Sequence, residues 1–356
     1  MAHERAGQWV TGGCMTEGAG STVSLERCYE AASMYYVQGE TMDVIARHLG
    51  VSRSTVSRLL TRARADGIVR ITLTAPGGAG TLEAALRDTF NVSARIVPVR
   101  EGTTEIHRLE QVAAVAAEEL AALAPENGVM GAAWGTTMSE VSAALPRRRV
   151  PGLTVVQLNG ATAPEGDGPN VGEVLADFAE RLGARTVAFP VPAFFDHAAT
   201  REAMWSERSV RRVLALADRA SLAVFGVGSL DPSAALPSQV YSGGHLSEQD
   251  RALLLRDGVV GDVCTVMLRQ DGTWRDVALN VRATGPTPAQ LSRIPRRLCV
   301  VAGVGKTRAL LAALRARVAT DLVVDDATAR AVLALAARKE KREHGPHAQY
   351  AQHRQR

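Results

Sequence analysis

Seven short apolar runs, each separated from the next by enough chain for at least one helix, restrict what most of this sequence can fold into. They are Ala94 to Val99, Val129 to Ala133, Thr154 to Leu158, Thr186 to Phe189, Leu222 to Gly226, Leu298 to Val301 and Asp321 to Val324. Strands that are apolar at consecutive rather than alternate positions are covered on both faces, and strands joined through helices run parallel. The spacing therefore predicts an α/β unit built on a mostly parallel sheet. Thr81 to Phe90 and Arg108 to Leu123 read as two of the covering helices. Cys264 to Arg269 and Trp274 to Leu279 flank Gln270-Asp271-Gly272-Thr273, and the Asp-Gly turn predicts a β-hairpin inserted in the α/β body.

A different pattern precedes this unit. Thr41 to Arg64 reads as two short helices around a tight turn. Ile45 and Leu49 lie four apart on the first, and Val56, Leu59, Leu60 and Ala63 form one face of the second. Gly50 suits a helix C-terminus and Ser52 suits the next N-cap. Small Ala46, four residues before Gly50, lets the helices cross closely. This is the helix-turn-helix pattern, whose second helix enters the DNA major groove. That helix carries Arg53, Arg58, Arg62 and Arg64 and no acidic residue. The alternative is an ordinary helical hairpin with a solvated basic face.

Leu25 to Gln38 reads as the preceding helix, with Leu25, Cys28, Ala32 and Tyr35 or Tyr36 on one side. Val69, Ile71 and Leu73 alternate with Arg70, Thr72 and Thr74 and continue the unit as a strand. The expected organisation is a disordered extension over 1–23 and a DNA-binding domain over 24–74. A linker at 75–80 (Ala75-Pro76-Gly77-Gly78-Ala79-Gly80) leads to the α/β domain over 81–336, and a disordered tail covers 337–356.

Charge and composition exclude several classes. The net charge is +4, yet residues 337–356 alone hold six Lys or Arg against two Glu, so the body is neutral and the local arginine cluster carries the information. Aromatics are only 4%, too few for a stacking platform or a carbohydrate-binding surface. No apolar run reaches the roughly 18 residues of a membrane span, and the first 23 residues lack the pattern of a signal peptide. Cys14, Cys28, Cys264 and Cys299 are too scattered for zinc or a disulfide framework, so a reducing cytoplasm is expected. Neither a metal nor a cofactor is implied.

Several loops beyond the carboxyl ends of the expected strands have binding chemistry. Gly135-Thr136-Thr137 opens a helix with free amides and two hydroxyls, which suits an anion; a plain N-cap is the alternative. Asn159-Gly160 and Asn170 follow the next strand, and Gly226-Val227-Gly228-Ser229 permits close backbone approach. Gly303-Val304-Gly305-Lys306-Thr307 fails the nucleotide phosphate-loop motif, since Val300 stands where the first glycine belongs. The lysines are Lys306, Lys339 and Lys341, so Lys306 is the only one of the folded body. A cation at a helix start is unfavourable unless an anion compensates it; a solvent-facing lysine is the alternative. Asp196-His197 with Glu202 could form an acid/base pair, but no nucleophile motif accompanies them, and no catalytic residue is assigned.

The string YYVQGETMDVIARHLGVSRSTVSRLLTRARADGIVRITL resembles the N-terminal region of SorC/DeoR-type sugar-binding transcriptional regulators. So do WGTTMSEVSAAL, VVQLNGA, SVRRVLALADRASLAVFGVGSL, GDVCTVMLRQDG, ALNVRATG, KTRALLAAL and DLVVDDATARAVL, in the family's order over about residues 25 to 335. The resemblance implies a domain related to the sugar-phosphate isomerase and CoA-transferase fold. It also implies a homotetramer controlling sugar-catabolic genes, with a phosphorylated sugar tuning its grip on double-stranded operator DNA. Carried over, the family's phosphate loop falls on Gly135, Thr136 and Thr137, its hydroxyl-binding pair on Gly261 and Asp262, and its lysine on Lys306. Gly160, Asn170, Asn280 and Arg282 are softer matches, and Gly226 and Gly228 join the expected site. Thr41, Ser52, Arg53, Ser54, Thr55, Ser57, Arg58 and Arg62 are the expected DNA-facing residues. Two other readings remain: an isomerase-like sugar-phosphate enzyme with an appended DNA-binding domain, and the same regulator with an unphosphorylated sugar or polyol effector.

Overall fold

The computed structural model describes residues 17–69, 79–161, 171–231, 234, 236, 238–242 and 244–343. The chain divides into two compact units, residues 1–74 and 75–356. The strand expected over 69–74 lies outside the described residues beyond Val69.

In the first unit, helix α1 (Glu17–Ala32) runs into one π-helical turn (Ser33–Val37), followed by α2 (Met42–Leu49) and α3 (Arg53–Ala65). Cys28, Ala31, Ala32 and Met34 meet Ile45, Val56, Leu60 and Ala63 in a small core. Leu25, expected on the buried side, is instead 40% exposed. Residues 17–23, expected to be disordered, are the first turns of α1. Their Gly and Thr content hid a helix that continues the register set by Leu25 onwards.

The second unit begins with α4 (Ala79–Phe90), so Ala79 and Gly80 are helical rather than linker. It continues β1 (Ser93–Val97), α5 (Glu105–Leu123), β2 (Val129–Ala132), α6 (Thr136–Ala143), β3 (Thr154–Gln157), α7 (Val171–Leu182) and β4 (Arg185–Val187). Next come α8 (Ala198–Ser206), α9 (Arg208–Ala217), β5 (Leu222–Gly226), β6 (Gly228–Ser229), α10 (Gln239–Ser242), α11 (Glu248–Arg256), β7 (Val259–Val263) and β8 (Val266–Arg269). The last elements are α12 (Pro288–Leu291), β9 (Arg296–Val301), α13 (Thr307–Arg315), β10 (Asp321–Asp325) and α14 (Asp326–Glu343). Residues 337–343, expected in a disordered tail, extend α14; Arg338 to Glu343 has no apolar period but is rich in helix-forming residues.

Seven parallel strands form one sheet in the order β1-β10-β9-β5-β2-β3-β4. Every residue of β2 and β3 is buried, whereas edge strands β1 and β4 are partly open. That is the burial expected of consecutive apolar residues between covering layers. Helix α5 lies against β9 and β10, and α9 against β2 and β3.

The expected hairpin is displaced. Strand β7 pairs with β8 across a two-residue turn at Cys264-Thr265, while Trp274 to Leu279 is irregular and ends in a turn of 3-10 helix (Ala278–Val281). The Asp271-Gly272 turn instead brings the chain back beside α13, where a Cβ on Gly272 (φ 89°) would clash with the Arg315–Ala316 backbone. Asp-Gly marked a real turn, but no second strand follows it. The antiparallel sheet β6-β7-β8 covers a satellite core of Tyr241, Leu246, Leu254, Met267 and Val277.

Candidate functional site

In the first unit, capping positions the recognition helix. The Thr41 hydroxyl accepts from Val44 N at 3.4 Å to start α2. Gly50 ends it in the left-handed region (φ 63°, ψ 35°), and Ser52 starts α3 by accepting from Thr55 N at 3.2 Å. With Val56, Leu60 and Ala63 buried, the helix must turn Arg53, Ser54, Ser57, Arg58, Arg62 and Arg64 outwards, and all six are exposed. The hydroxyls form a chain: Ser52 Oγ lies 2.8 Å from Ser54 Oγ and 2.9 Å from Thr55 Oγ1, and Arg58 Nη2 donates to Thr55 Oγ1 at 3.2 Å. Ser52 and half-buried Thr55 are thus engaged in the cap. Arg53 approaches Asp43 at 3.8 Å and Arg62 pairs with Asp66 at 3.1 Å. Exposed pairs of this kind are worth about 0–1 kcal/mol and give way readily to a phosphate.

In the second unit the strand order reverses at β2. The chain steps outwards through β3 to β4 and returns on the other side of β2 as β5. Beyond the carboxyl ends of the strands at this switch point lies an open cleft. On one side, Gly135 has φ 126°, a conformation that favours glycine, and it swings the chain straight from β2 into α6. Ser139 N bonds to Gly135 O, so the amides of Thr136, Thr137 and Met138 have no acceptor within the helix. Across from them, a 3-10 turn (Val304–Lys306) follows β9, and half-buried Lys306 donates from Nζ to Thr137 Oγ1 at 3.2 Å.

The opposite wall is acidic. Asp262 on β7 is only 4% exposed. Its Oδ2 accepts from Thr265 N at 2.9 Å, and its Oδ1 has no hydrogen-bond partner. Asn159 Oδ1, 2% exposed on the same cleft, is also without one. A Cβ on Gly228 would overlap Asp262 Oδ1, one on Gly261 would overlap Gly228 O, and one on Gly226 would press on Thr137 at 3.3 Å. These glycines let the walls approach.

The electrostatics follow from burial. Desolvation pushes the Asp262 carboxyl up to about 6, against the Thr265 amide, the Tyr241 hydroxyl and Lys306, which each pull it down. Burial lowers Lys306; Cys299, Asp262 and Glu105 oppose this. Since burial pushes the Cys299 thiol itself up to about 12, the two carboxylates are the charges that support Lys306 at neutral pH. Because the fold raises Asp262 from its usual 3.8, its stabilising effect is complete below pH 4 and is lost as pH rises through about 6. Asp262→Asn is expected to remove a loss of roughly 3 kcal/mol between those limits. Melting temperatures of both proteins from pH 4 to 7 measure it; parallel curves would refute the assignment.

Other expected site residues lie elsewhere. Gly160 backs the cleft: its amide donates to Thr284 Oγ1 at 3.0 Å and its carbonyl accepts from Trp134 Nε1 at 2.9 Å. Asn280 is spent on the backbone of Met267 and Trp274, and Arg282 on Asp250 and Phe195 O. Neither reaches the cleft wall. Asn170 lies outside the described residues. Asp196, His197 and Glu202 are exposed and away from the cleft, and no cluster of metal-binding side chains occurs among the described residues. No described helix is long and apolar enough to cross a membrane.

Comparison with known proteins decides the family. Residues 76–334 match the family described as "Putative sugar-binding domain", and residues 26–70 match a homeodomain-like domain. The chain belongs to the SorC/DeoR-type sugar-binding transcriptional regulators. This SorC/DeoR-type regulator is 29% identical to the deoxyribonucleoside regulator of Bacillus subtilis (strain 168) over 85% of its own length and 96% of that protein. It superposes on a domain of a possible sugar-binding transcriptional regulator from Arthrobacter aurescens TC1 with a TM-score of 0.67 and 44% identity, covering 73% of this chain and all of that one. Full-length sorbitol operon regulator SorC from Klebsiella pneumoniae has the same fold, with a TM-score of 0.70 at 24% identity over 87% and 98% of the two chains.

Several residues of this SorC/DeoR-type regulator's cleft escaped sequence reasoning. Asn159 figures there only as part of a loop, Trp134 only inside the string WGTTMSEVSAAL, and Ser238 on the wall not at all. Behind Lys306, fully buried Asp325 accepts from Gly303 N at 2.9 Å, from Thr328 Oγ1 at 2.7 Å and from Arg108 Nη1 at 2.9 Å. Arg108 also reaches Glu105 at 3.3 Å. This network sets the turn that carries the lysine.

Proposed function

We propose that this regulator's operator binding is controlled by a phosphorylated sugar or polyol held in the cleft between β2 and β5. One observation carries the reading. The cleft pairs a donor pole, made by the α6 amides and Lys306, with an acceptor pole, Asp262 Oδ1 and Asn159 Oδ1, both buried and unpartnered. A phosphate satisfies the first and sugar hydroxyls the second, since a buried acceptor left unpaired costs about 1–3 kcal/mol. The name of the Bacillus subtilis relative, a deoxyribonucleoside regulator, supports a pentose-type ligand. The relatives named as regulators support a cleft that binds its ligand rather than transforming it.

Titration calorimetry of matched sugars and sugar phosphates tests this. Phosphates are expected to bind at least about 30-fold more tightly, given roughly 2 kcal/mol for a charge-assisted contact. Equal affinity for the parent sugars would favour the unphosphorylated effector instead.

Cytoplasmic homotetramers would present pairs of α3 helices to successive major grooves, and the ligand would shift their spacing. Arg58 and Arg62 hold phosphates in this arrangement, and Arg53, Ser54 and Ser57 face the bases. Arg53→Ala is expected to weaken operator binding by about 1–3 kcal/mol while sparing non-operator DNA. A gel shift with unchanged operator affinity would remove that role, and sedimentation reads the oligomeric state.

A further inference from the structure

A second cleft opens elsewhere on the same unit, among residues the effector reading leaves unused. Its floor is apolar: Leu158 at the end of β3, Leu214 on α9 and Ile294 after α12. Arg201 on α8 stands over it, half-buried. Its guanidinium carbon lies 4.4 Å above the Trp205 ring, and its Nε donates to Ala283 O at 2.7 Å. Trp205 is itself fixed, packing against Phe189 and Phe195 at 5.8 and 6.1 Å between ring centres. The stacked ring and the Nε bond lock the plane of the guanidinium, and its two Nη groups meet no carboxylate within 4 Å among the described residues.

Arg293 on the rim has no carboxylate partner among them either, and Asp218 is the one acidic lining residue. The lining therefore carries one net positive charge above an apolar floor. Burial works against the charge on Arg201, and only the exposed Glu202 opposes that effect. A planar fork that is immobilised, partly desolvated and unpaired fits a planar carboxylate in two-point contact.

We propose that this cleft is a second binding site, taking a small carboxylate on an aryl or branched-alkyl body, with Arg201 as its anchor. The carboxylate meets the Nη groups of Arg201, and the apolar body covers Leu158, Leu214 and Ile294. The site differs from the sugar cleft in chemistry, since it has an apolar floor and an arginine where the other has acceptors and a lysine.

The full chain labelled with 5-fluorotryptophan provides the test, with benzoate as probe. Trp205→Phe assigns the Trp205 fluorine resonance. Benzoate is expected to move that resonance saturably, with a Kd on the order of 1 mM, whereas acetate and benzyl alcohol, which each lack one half of the ligand, move it little. Arg201→Gln is expected to weaken benzoate about tenfold or more, and Arg201→Lys to restore part of the affinity. Should Arg201→Gln fail to fold, Arg293→Gln is the second variant, with a loss of about threefold expected at the rim. Three results would overturn the proposal: no saturable movement at about 20 mM benzoate, an equal response to acetate or benzyl alcohol, or unchanged benzoate affinity in the folded arginine variants. A Trp205 shift that follows protein concentration without any probe would also overturn it, assigning the cleft to self-association.

Discussion

Lys306→Met is expected to weaken sugar-phosphate binding by about 2–5 kcal/mol, or roughly 30-fold to a few thousand-fold, and to leave DNA binding without ligand unchanged. The size of the effect follows from position. Lys306 Nζ bridges to Thr137 Oγ1 at the mouth of an uncapped helix, so a phosphate there displaces no competing anion and meets amides and ammonium together. Methionine keeps the length of the side chain and removes the charge. Arginine does not substitute, because a compact ammonium fits between the α6 start and the Gly303–Gly305 turn and a planar fork needs more room. Calorimetry with the tightest sugar phosphate measures the loss. An unchanged Kd would move the phosphate pole elsewhere in the cleft.

Asp325→Ala is expected to destabilise the second unit by about 3–5 kcal/mol, since it strands the Arg108 guanidinium, which is only 11% exposed, and orphans the Gly303 amide. For a unit of this size that lowers Tm by roughly 6–20 °C. Calorimetric melting reads it, and Asp325→Asn, which keeps part of the hydrogen bonding, should fall between the two. A drop under about 2 °C would mean that Glu105 alone can hold Arg108. The ligand consequence is separable: at a temperature where the variant is folded, affinity should still fall, because the turn before Lys306 has lost its anchor.

The contrast between these residues shows what could be read from sequence. Lys306 stood out because lysine is rare here and because it follows glycines at a helix start. The inner strands were visible because consecutive apolar residues mark burial on both faces, most fully in β2 and β3, and the partly open edge strands β1 and β4 keep only a shorter apolar stretch. The recognition helix was equally open, since Thr41, Gly50 and Ser52 do their capping within four residues. Asp325 left no such trace: its bond to Arg108 spans 217 residues, and nothing near either one announces the other. The hairpin was misplaced for the converse reason. Asp271-Gly272 has the composition of a hairpin turn, and Cys264-Thr265, which makes one, does not. Helices α1 and α14 outran their expected limits because helix-forming residues can extend a helix past the last apolar contact.

That Cys264-Thr265 turn is strained. Both residues have positive φ, 49° and 69°, where side chains, and a β-branched one above all, are disfavoured by about 1–3 kcal/mol each. The turn is braced from within, where Asp262 Oδ2 accepts from Thr265 N, and from outside, where Gly285 N donates to Thr265 Oγ1. An Asn-Gly turn holds its shape unaided, whereas this one also leans on the Gly285 segment beyond the hairpin. Asp262, which braces that turn through Oδ2, also offers the cleft its unpartnered Oδ1, so the strained turn and the acceptor wall depend on one carboxylate.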